Sequence, residues 1–356
     1  MRNPFVMECG EFHVNYKQET ALYKIPRVRR RVMLILAFFA VFPLIFGEYY
    51  VGLATLCGIA AVGAIGLNIL TGFTGQIHIG VGAFLGVGGY ASAIITTKLG
   101  LPFWIAMPMA GIVTAAVGAL FGIPSLRLKG LYLAMATLAA QVIILFVISR
   151  WDSLTGGTSG LILSRPSIGS FTFASETSYY YLTMAVLFIT ALFTLNLFRS
   201  RMGRAFVAVR DRDIAAEVMG IDLFKTKLLS FAVSSFFVGV AGSLMGHYTM
   251  VVSPELYSIG VSIEYLAMIL IGGLGSVMGS IYGAVFITLL PVFLRAALEV
   301  IGAYFPGLEG IFVGFRELIF GAIVILFLVY EPDGIAKIWK NLKNYFKLWP
   351  FSYNRS

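Results

Sequence analysis

Long apolar segments separated by short polar ones make up most of this chain. A helix that crosses a membrane needs about 20 apolar residues, and by that measure the pattern predicts ten spans. The predicted spans are roughly residues 32–47, 51–70, 81–97, 103–123, 131–149, 179–198, 228–252, 263–271, 277–298 and 311–330. The first carries Pro43, and the eighth is too short to cross unless it begins near Tyr257. The predicted fold class is an all-α membrane protein, a polytopic bundle of about ten transmembrane helices.

Composition agrees with this pattern. Hydrophobic residues make up 59% of the 356 and charged residues only 12%, whereas soluble domains are about 45–50% apolar and 25% charged. The 39 glycines suit membrane helices that pack closely on small residues. Cys9 and Cys57 are too few for a disulfide framework or a cysteine metal site. A soluble globular protein is therefore excluded.

The net charge of +9 indicates orientation in the membrane and not nucleic-acid binding, because the basic residues lie in short loops. Four arginines between residues 27 and 31 precede the first apolar segment, and no signal-peptide cleavage site follows it. The predicted domains are a cytoplasmic segment, residues 1–31, a membrane domain, residues 32–330, and a basic cytoplasmic tail, residues 331–356. The external loop 150–178 is rich in Ser, Thr and Gly, which favours a solvated connection over a lid for a partner.

Two glycine-broken segments resemble each other at an offset of 200 residues. LTGFTG at 70–75 and LIGGLG at 270–275 share a leucine and two glycines, which suggests an internal repeat. Broken helices in both halves of a chain indicate a transport pathway, and their freed backbone must line water or be buried in protein. The candidate pathway residues are Asn68, Gly72, Gly75, Gln76, His78, Gly272 and Gly275.

The polar stretch 199–227 separates two long apolar segments and carries seven Lys or Arg and four Asp or Glu residues. Residues 205–209 and 214–219 are good helix formers. Asp213 can cap the second piece, and Gly220 can end it in the left-handed conformation. The stretch therefore predicts a short helical hairpin on the cytoplasmic face, offered to a partner chain. The alternative is a merely solvated loop.

Few polar residues interrupt the apolar segments. They are Asn68, Gln76, His78, Gln141, Asn196, His247 and Glu264, and Glu264 is placed near the outer boundary of its span. They form no Asp/Glu/His chain of the kind that drives proton-coupled transport. The HExxH, GxSxG and P-loop motifs are absent, so the sequence predicts no catalytic residue, no metal site and no enzyme. Any ATP-driven process needs a motor on another chain.

Three blocks carry a family resemblance. They are GLNILTGFTGQ at 66–76 with the glycines that follow, RLKGLYLAMATL at 127–138 with 156–161, and the stretch from Gly203 to Ile221 followed by 270–279. The chain resembles the membrane permease of a branched-chain amino-acid ABC importer, specifically the subunit that pairs with a second, homologous permease. The resemblance covers roughly residues 60–330 and keeps the order of the blocks.

In that family, the segment like Gly203–Ile221 forms coupling helices that rest in a groove of the ATPase. The resemblance implies coupling roles for Gly203, Arg204, Ala205, Arg210, Asp213, Ala216 and Gly220. It implies a second permease subunit, two cytoplasmic ATPase subunits that bind ATP and Mg²⁺, and an external solute-binding protein. It also implies a multi-pass location in a bacterial or archaeal cytoplasmic membrane with both termini inside, no cofactor in this chain, and leucine, isoleucine or valine as cargo.

The stretch after Gln76 departs from the family pattern. Family members often carry Ser and then His there, whereas this chain has Ile77-His78-Ile79-Gly80-Val81. Since close relatives carry urea or other small amides and acids, a different small solute stays open as the cargo. A self-sufficient ion-coupled carrier is the alternative from another class, and a membrane-embedded enzyme is a third.

Overall fold

The computed structural model describes residues 26–125, 130–168, 171–304, 309–331 and 334–348. The predictions for residues 1–25 and for the end of the tail lie outside these ranges. The chain divides into two compact units, Met1–Val51 and Gly52–Ser356. The first contains one long helix and the start of the next, and the second contains the elements that concern function.

The described residues are mostly helical. The helices are α1 (Pro26–Ile45), α2 (Glu48–Asn68), α3 (Val81–Thr97), α4 (Phe103–Ser125), α5 (Leu131–Arg150), α6 (Asp152–Thr155), α7 (Glu176–Arg199), α8 (Arg201–Asp211), α9 (Asp213–Val218), α10 (Leu223–Thr249), α11 (Ile259–Gly272), α12 (Val277–Tyr304), α13 (Glu309–Tyr330) and α14 (Ile335–Leu348). A π-helix, Ile69–Phe73, continues α2, and 3₁₀ turns occupy Gly157–Ser159 and Pro254–Tyr257. The strands have two residues each: β1 (Leu161–Ile162), β2 (Ser167–Ile168), β3 (Phe171–Thr172) and β4 (Val251–Val252).

Within the described ranges, seven helical segments are long and apolar enough to cross a membrane. They are Glu48–Phe73, Phe103–Ile123, Leu131–Arg150, Glu176–Arg199, Leu223–Thr249, Pro254–Gly272 and Val277–Ala297. Two shorter apolar helices are Val81–Thr97 and Leu318–Phe327. The chain is thus an all-α membrane protein, while the total of ten spans stays a prediction.

The core of the second unit is built where α3, α4 and α10 pack against one another. Phe84, Phe231 and Leu244 are fully buried there. A Cβ added at Gly88 of α3 would lie only 2.2 Å from the carbonyl oxygen of Gly239 on α10. Small residues let these helix backbones approach closely, which is how membrane helices gain contact area without a hydrophobic driving force.

The 150–178 loop is folded against the bundle along part of its length. Strand β1 pairs antiparallel with β4, which directly follows α10. The Leu163 N–H donates to the carbonyl of Met250 at 2.8 Å, and the Leu163 side chain is only 4% exposed. The interpretation of this loop as a solvated connection is therefore wrong at Leu163, because backbone pairing and burial replace solvent there, whereas Ile162 beside it is 81% exposed.

The tail predicted to be basic contains an amphipathic helix, α14. Ile338, Trp339 and Leu342 recur at helical spacing and are exposed apolar residues. Its start is fixed by Gly334, which has a φ of +78° and packs against the backbone of Gly273.

Candidate functional site

The predicted hairpin in the stretch 199–227 is present as α8 and α9. The Ser200 hydroxyl caps α8 by accepting the N–H of Gly203 at 3.3 Å. Gly203, Phe206 and Val209 form its buried face, whereas Arg204 is exposed and Ala205 half-buried. A Cβ at Gly203 would lie 2.3 Å from the Leu197 carbonyl oxygen, so α8 crosses the end of α7 where only glycine fits.

Helix α9 begins and ends largely as the sequence predicts. The Asp213 carboxylate accepts the N–H of Ile214 at 2.9 Å, although Arg212 occupies the N-cap position. Gly220 has a φ of +87°. Its N–H donates to the Glu217 carbonyl, and the next N–H reaches back to Ala216. These two bonds form a Schellman motif, which confirms the left-handed end at Gly220.

Charges fix the hairpin to the start of α10. Lys227 lies 3.9 Å from the Asp213 carboxylate and is only slightly exposed. Asp222 caps α10 by accepting the N–H of Lys225 at 3.0 Å. This backbone hydrogen bond, together with the Lys225 side chain, holds the pKa of the Asp222 carboxyl below its ordinary value.

The outward surface of α9 is apolar. Ile214, Val218 and Met219 are 71%, 82% and 83% exposed, and the first two are spaced i,i+4 on one side of the helix. Ala216, expected to contact a partner, is instead buried against the rest of the chain. The helical spacing of Ile214 and Val218 is the signal that could have identified this surface from the sequence.

Asn68 joins the two glycine-broken segments. Its side-chain amide donates to the Ser276 carbonyl at 3.0 Å and to the Ser280 hydroxyl at 2.6 Å. Its side-chain oxygen accepts the N–H of Gly275 at 2.9 Å. Asn68, at the end of α2, therefore supplies hydrogen-bond partners for backbone groups in the segment between α11 and α12. We call this meeting point of 68–76 and 272–280 the junction.

The two broken segments have related backbones. Gly75 and Gly275 have φ angles of +74° and +72°, at the offset of 200 residues seen in the sequence. Gly72 lies in the π-helix, where a Cβ would be 1.7 Å from the Asn68 side-chain oxygen and 2.4 Å from the Gly275 nitrogen. Gly72 thus allows the close approach on which the junction depends.

Arg210 connects the hairpin to the junction. Its Nη1 donates to the Gly72 carbonyl at 3.0 Å, and Nη2 lies 2.9 Å from the Asp211 carboxylate. A Cβ at Gly75 would meet the Arg210 Cγ at 2.9 Å, and one at Gly275 would meet Nη1 at 3.0 Å. This arginine, in the last turn of α8, therefore lies against both broken segments.

Gln76 extends the junction toward α10. Its side-chain amide donates to the Ser230 hydroxyl at 2.9 Å. A polar cavity of about 300 Å³ opens beside it, lined among others by Gly75, Arg210 and Lys227. Polar side chains and an open volume thus lie where the hairpin meets the broken segment.

Two of the predicted pathway residues, His78 and Gly272, are buried in closely packed surroundings. His78 is buried between the rings of Phe84 and Phe231, with ring centroids 5.0 and 5.1 Å away. Gly272 is buried against α12, where a Cβ would be 2.0 Å from the Gly279 carbonyl oxygen. Neither is among the residues that Asn68 and Arg210 bring together.

Two further polar residues of the apolar segments, His247 and Gln141, are hydrogen-bonded. The two ring nitrogens of His247 lie 3.0 Å from the Ser92 hydroxyl and 3.2 Å from the Ser164 carbonyl. Gln141 accepts the Ser262 hydroxyl at 2.8 Å. His247 therefore links α10 to the 150–178 loop, and its hydrogen-bond partners are a hydroxyl and a carbonyl group.

Residues 49–328 match the family described as branched-chain amino acid transport system / permease component. The chain is 29% identical to the high-affinity branched-chain amino acid transport system permease protein LivM of Salmonella typhimurium, over 85% of this chain and 74% of the relative. It is 26% identical to a probable LivM of Methanocaldococcus jannaschii, over 80% and 83%. It is also 25% identical to LivH of Escherichia coli K12, over 79% and 92%. No solved structure matches the chain.

Proposed function

The chain belongs to the family of branched-chain amino acid transport permease components, and on that premise we propose that it is the membrane subunit of an ATP-driven importer for leucine, isoleucine and valine. The family match spans most of the membrane-crossing helices. The bacterial LivM relatives are permease proteins of the branched-chain amino acid transport system. The protein moves solute and performs no covalent chemistry.

The partners in this proposal come from the same family. A second homologous permease completes the translocation path, and similarity to both LivM and LivH proteins supports such a pairing. Two cytoplasmic ATPase subunits bind ATP and Mg²⁺, since this chain has no P-loop. An external binding protein delivers the solute. The chain crosses the inner membrane about ten times, with both termini and the hairpin in the cytoplasm.

The observation that carries the coupling mechanism is the hydrogen bond between Arg210 Nη1 and the Gly72 carbonyl. Hydrogen bonds to charged groups contribute about 1.5–3 kcal/mol, and this one joins α8 to the π-helix. A short helix held by caps moves as a unit. When an ATPase displaces the hairpin, the displacement is therefore transmitted to the junction.

The residues divide between two roles in this mechanism. The exposed Ile214, Val218 and Met219 supply an apolar docking face for the ATPase. Gly203, Arg204, Ala205, Asp213, Ala216 and Gly220 shape and orient the hairpin, and Arg210 transmits its movement. The junction around Asn68, Gly72, Gly75, Gln76 and Gly275 flexes beside the pathway, while His78 and Gly272 support its packing.

Two other functions make different demands on the chain. The same machinery could carry urea or another small solute, which would change the cargo and leave the coupling surface intact. An ion-coupled carrier would work without an ATPase and would need no docking face on α9. The exposed apolar side of α9 favours the ATP-driven importer over that carrier.

The test is replacement of Arg210 by alanine in the complex of permeases and ATPases, reconstituted in liposomes with the binding protein. We expect the ATPase to co-purify normally, while leucine uptake per ATP hydrolysed falls at least tenfold. Arg150→Ala is the matched control. Arg150 is an exposed arginine at the C-terminal end of α5, whereas the N-terminal end of α5 follows Gly130, which lies beside the hairpin.

Three outcomes would contradict the proposal. Unchanged uptake per ATP in Arg210→Ala would exclude coupling through the Gly72 carbonyl. Uptake driven by an ion gradient without ATP would establish the secondary carrier. Uptake of urea in place of leucine would contradict the proposed cargo and leave the ATP-driven importer intact.

A further inference from the structure

A cavity of about 230 Å³ lies among α2, α3, α10, α11 and α12. Small-molecule sites for drug-sized ligands occupy about 300–1,000 Å³, so this volume suits a smaller solute. Its walls are mainly apolar and include Ile59, Leu85, Met268 and Ile287. An aliphatic side chain could occupy such a cavity without leaving polar groups of the protein unpaired.

Among the residues that the structure describes, Glu264 is the charged one that lines this cavity. It lies within the candidate span Pro254–Gly272, and its placement near the outer boundary stays a prediction. The span begins in the 3₁₀ turn before α11. A carboxylate within a span is costly and is usually kept for function.

Glu264 has no ion-pair or hydrogen-bond partner among the residues that the structure describes. It lines the cavity and is exposed in the isolated chain. A cation entering the cavity would therefore meet an available negative charge.

The α12 wall adds acceptors opposite this carboxylate. Pro291 lies within α12 and has no N–H to donate to the carbonyl of Ile287, four residues earlier. Ile287, the hydroxyl-bearing Thr288 and Pro291 all line the cavity. A carboxylate, a hydroxyl and a carbonyl to which Pro291 cannot donate are oxygen groups of the kind that a primary ammonium group, with three N–H donors, can bind.

We propose that this cavity is a subsite for the amino acid cargo, in which Glu264 binds the α-ammonium group and the apolar wall receives the branched side chain. The inference rests on the proposed function and adds the group that is recognised. Charge-assisted hydrogen bonds to the ammonium are stronger than neutral ones. The subsite therefore selects an amino acid over a neutral amide or a carboxylic acid of the same carbon skeleton.

The experiment uses the complete complex with Cys9→Ser, which leaves the buried Cys57, and Leu256→Cys as a reporter at the exposed rim of the cavity. A water-soluble maleimide labels the introduced thiol. We expect leucine to slow labelling at least threefold, and 4-methylpentanoate, which lacks the ammonium group, to leave the rate unchanged. Glu264→Gln should abolish the protection by leucine.

Glu255→Gln is the matched control, because Glu255 lies in the preceding 3₁₀ turn and does not line the cavity. It should keep full protection, and co-purification of the ATPase reports that each variant is assembled. If the complex imports leucine and Glu264→Gln is still protected, the subsite is overturned while the proposed function stands. If the unmodified complex imports urea and not leucine, the proposed cargo fails and the ammonium subsite fails with it.

Discussion

Gly220 and Gly72 both lie where a helix gives way to another conformation, but the chain requires glycine at each for a different reason. At Gly220 the backbone has a φ of +87°, and a Cβ would have no heavy atom within 4 Å. At Gly72 a Cβ would fall 1.7 Å from the Asn68 side-chain oxygen. The first position needs a backbone angle, and the second needs space.

The difference extends to the regions around these glycines. The hairpin is stabilised by hydrogen bonds between residues close in sequence, such as Ser200 with Gly203 and Asp213 with Ile214. The junction is held by bonds that span more than 130 residues, from Asn68 to Gly275 and from Arg210 to Gly72. A local element can move as a unit, whereas the junction responds to every segment that meets there.

The largest effect on stability is expected from Gly72→Ala. The added methyl overlaps Asn68 and the Gly275 backbone, which cannot move away as a flexible side chain could. Overpacking costs about 1–3 kcal/mol, and loss of the Asn68 hydrogen bonds adds to it. We expect the midpoint of thermal unfolding in detergent to fall by several degrees and uptake to be lost.

Gly321→Ala is the control for this change. Gly321 lies in α13, and a Cβ there would meet nothing within 4 Å. Since alanine has a higher helix propensity than glycine, this variant should be at least as stable as the unmodified chain. An equal loss of stability in both variants would show that crowding at Gly72 is not the cause.

A smaller effect is expected from Gly220→Val. A β-branched residue at positive φ costs about 1–2 kcal/mol, and the strain acts on α9 alone. Membrane insertion should be intact while uptake falls, because the end of α9 loses its Schellman bonds. Gly220→Asn should retain most of the uptake, since asparagine tolerates this conformation. Equal uptake in both variants would show that coupling does not require the left-handed end of α9.

The smallest effect on stability is expected from Ile214→Lys combined with Val218→Lys. Both side chains are already more than 70% exposed, and surface changes away from special features alter stability by about 0.5 kcal/mol or less. Thermal unfolding should be unchanged, but co-purification of the ATPase should be lost. Ile162→Lys, at an equally exposed position in β1, should leave co-purification intact, and its loss there would argue against a specific docking face.

Several features were predictable from short stretches of sequence. Helical segments of suitable length cover most of the predicted spans, because a span is defined by its own apolar residues. The Schellman end at Gly220 and the acceptor role of Asp213 were also predictable, since both depend on residues a few positions away. The likeness of Gly75 and Gly275 in sequence corresponds to nearly equal φ angles.

Other features could not be predicted in this way. The 150–178 loop was interpreted as solvated because its own residues are polar, yet β1 pairs with β4 almost 90 residues later. Ala216 was expected to face a partner, but packing buries it.

The sequence by itself determined that the chain is a helical membrane protein and that the stretch 199–227 contains a capped hairpin. Those properties follow from apolar length, capping residues and glycine, which act over one or two helical turns. Only the tertiary structure decided that Asn68 joins the broken segments, that Arg210 contacts both, and that Glu264 lines an apolar cavity. Such contacts depend on how distant helices pack, and no local pattern encodes the distance between them.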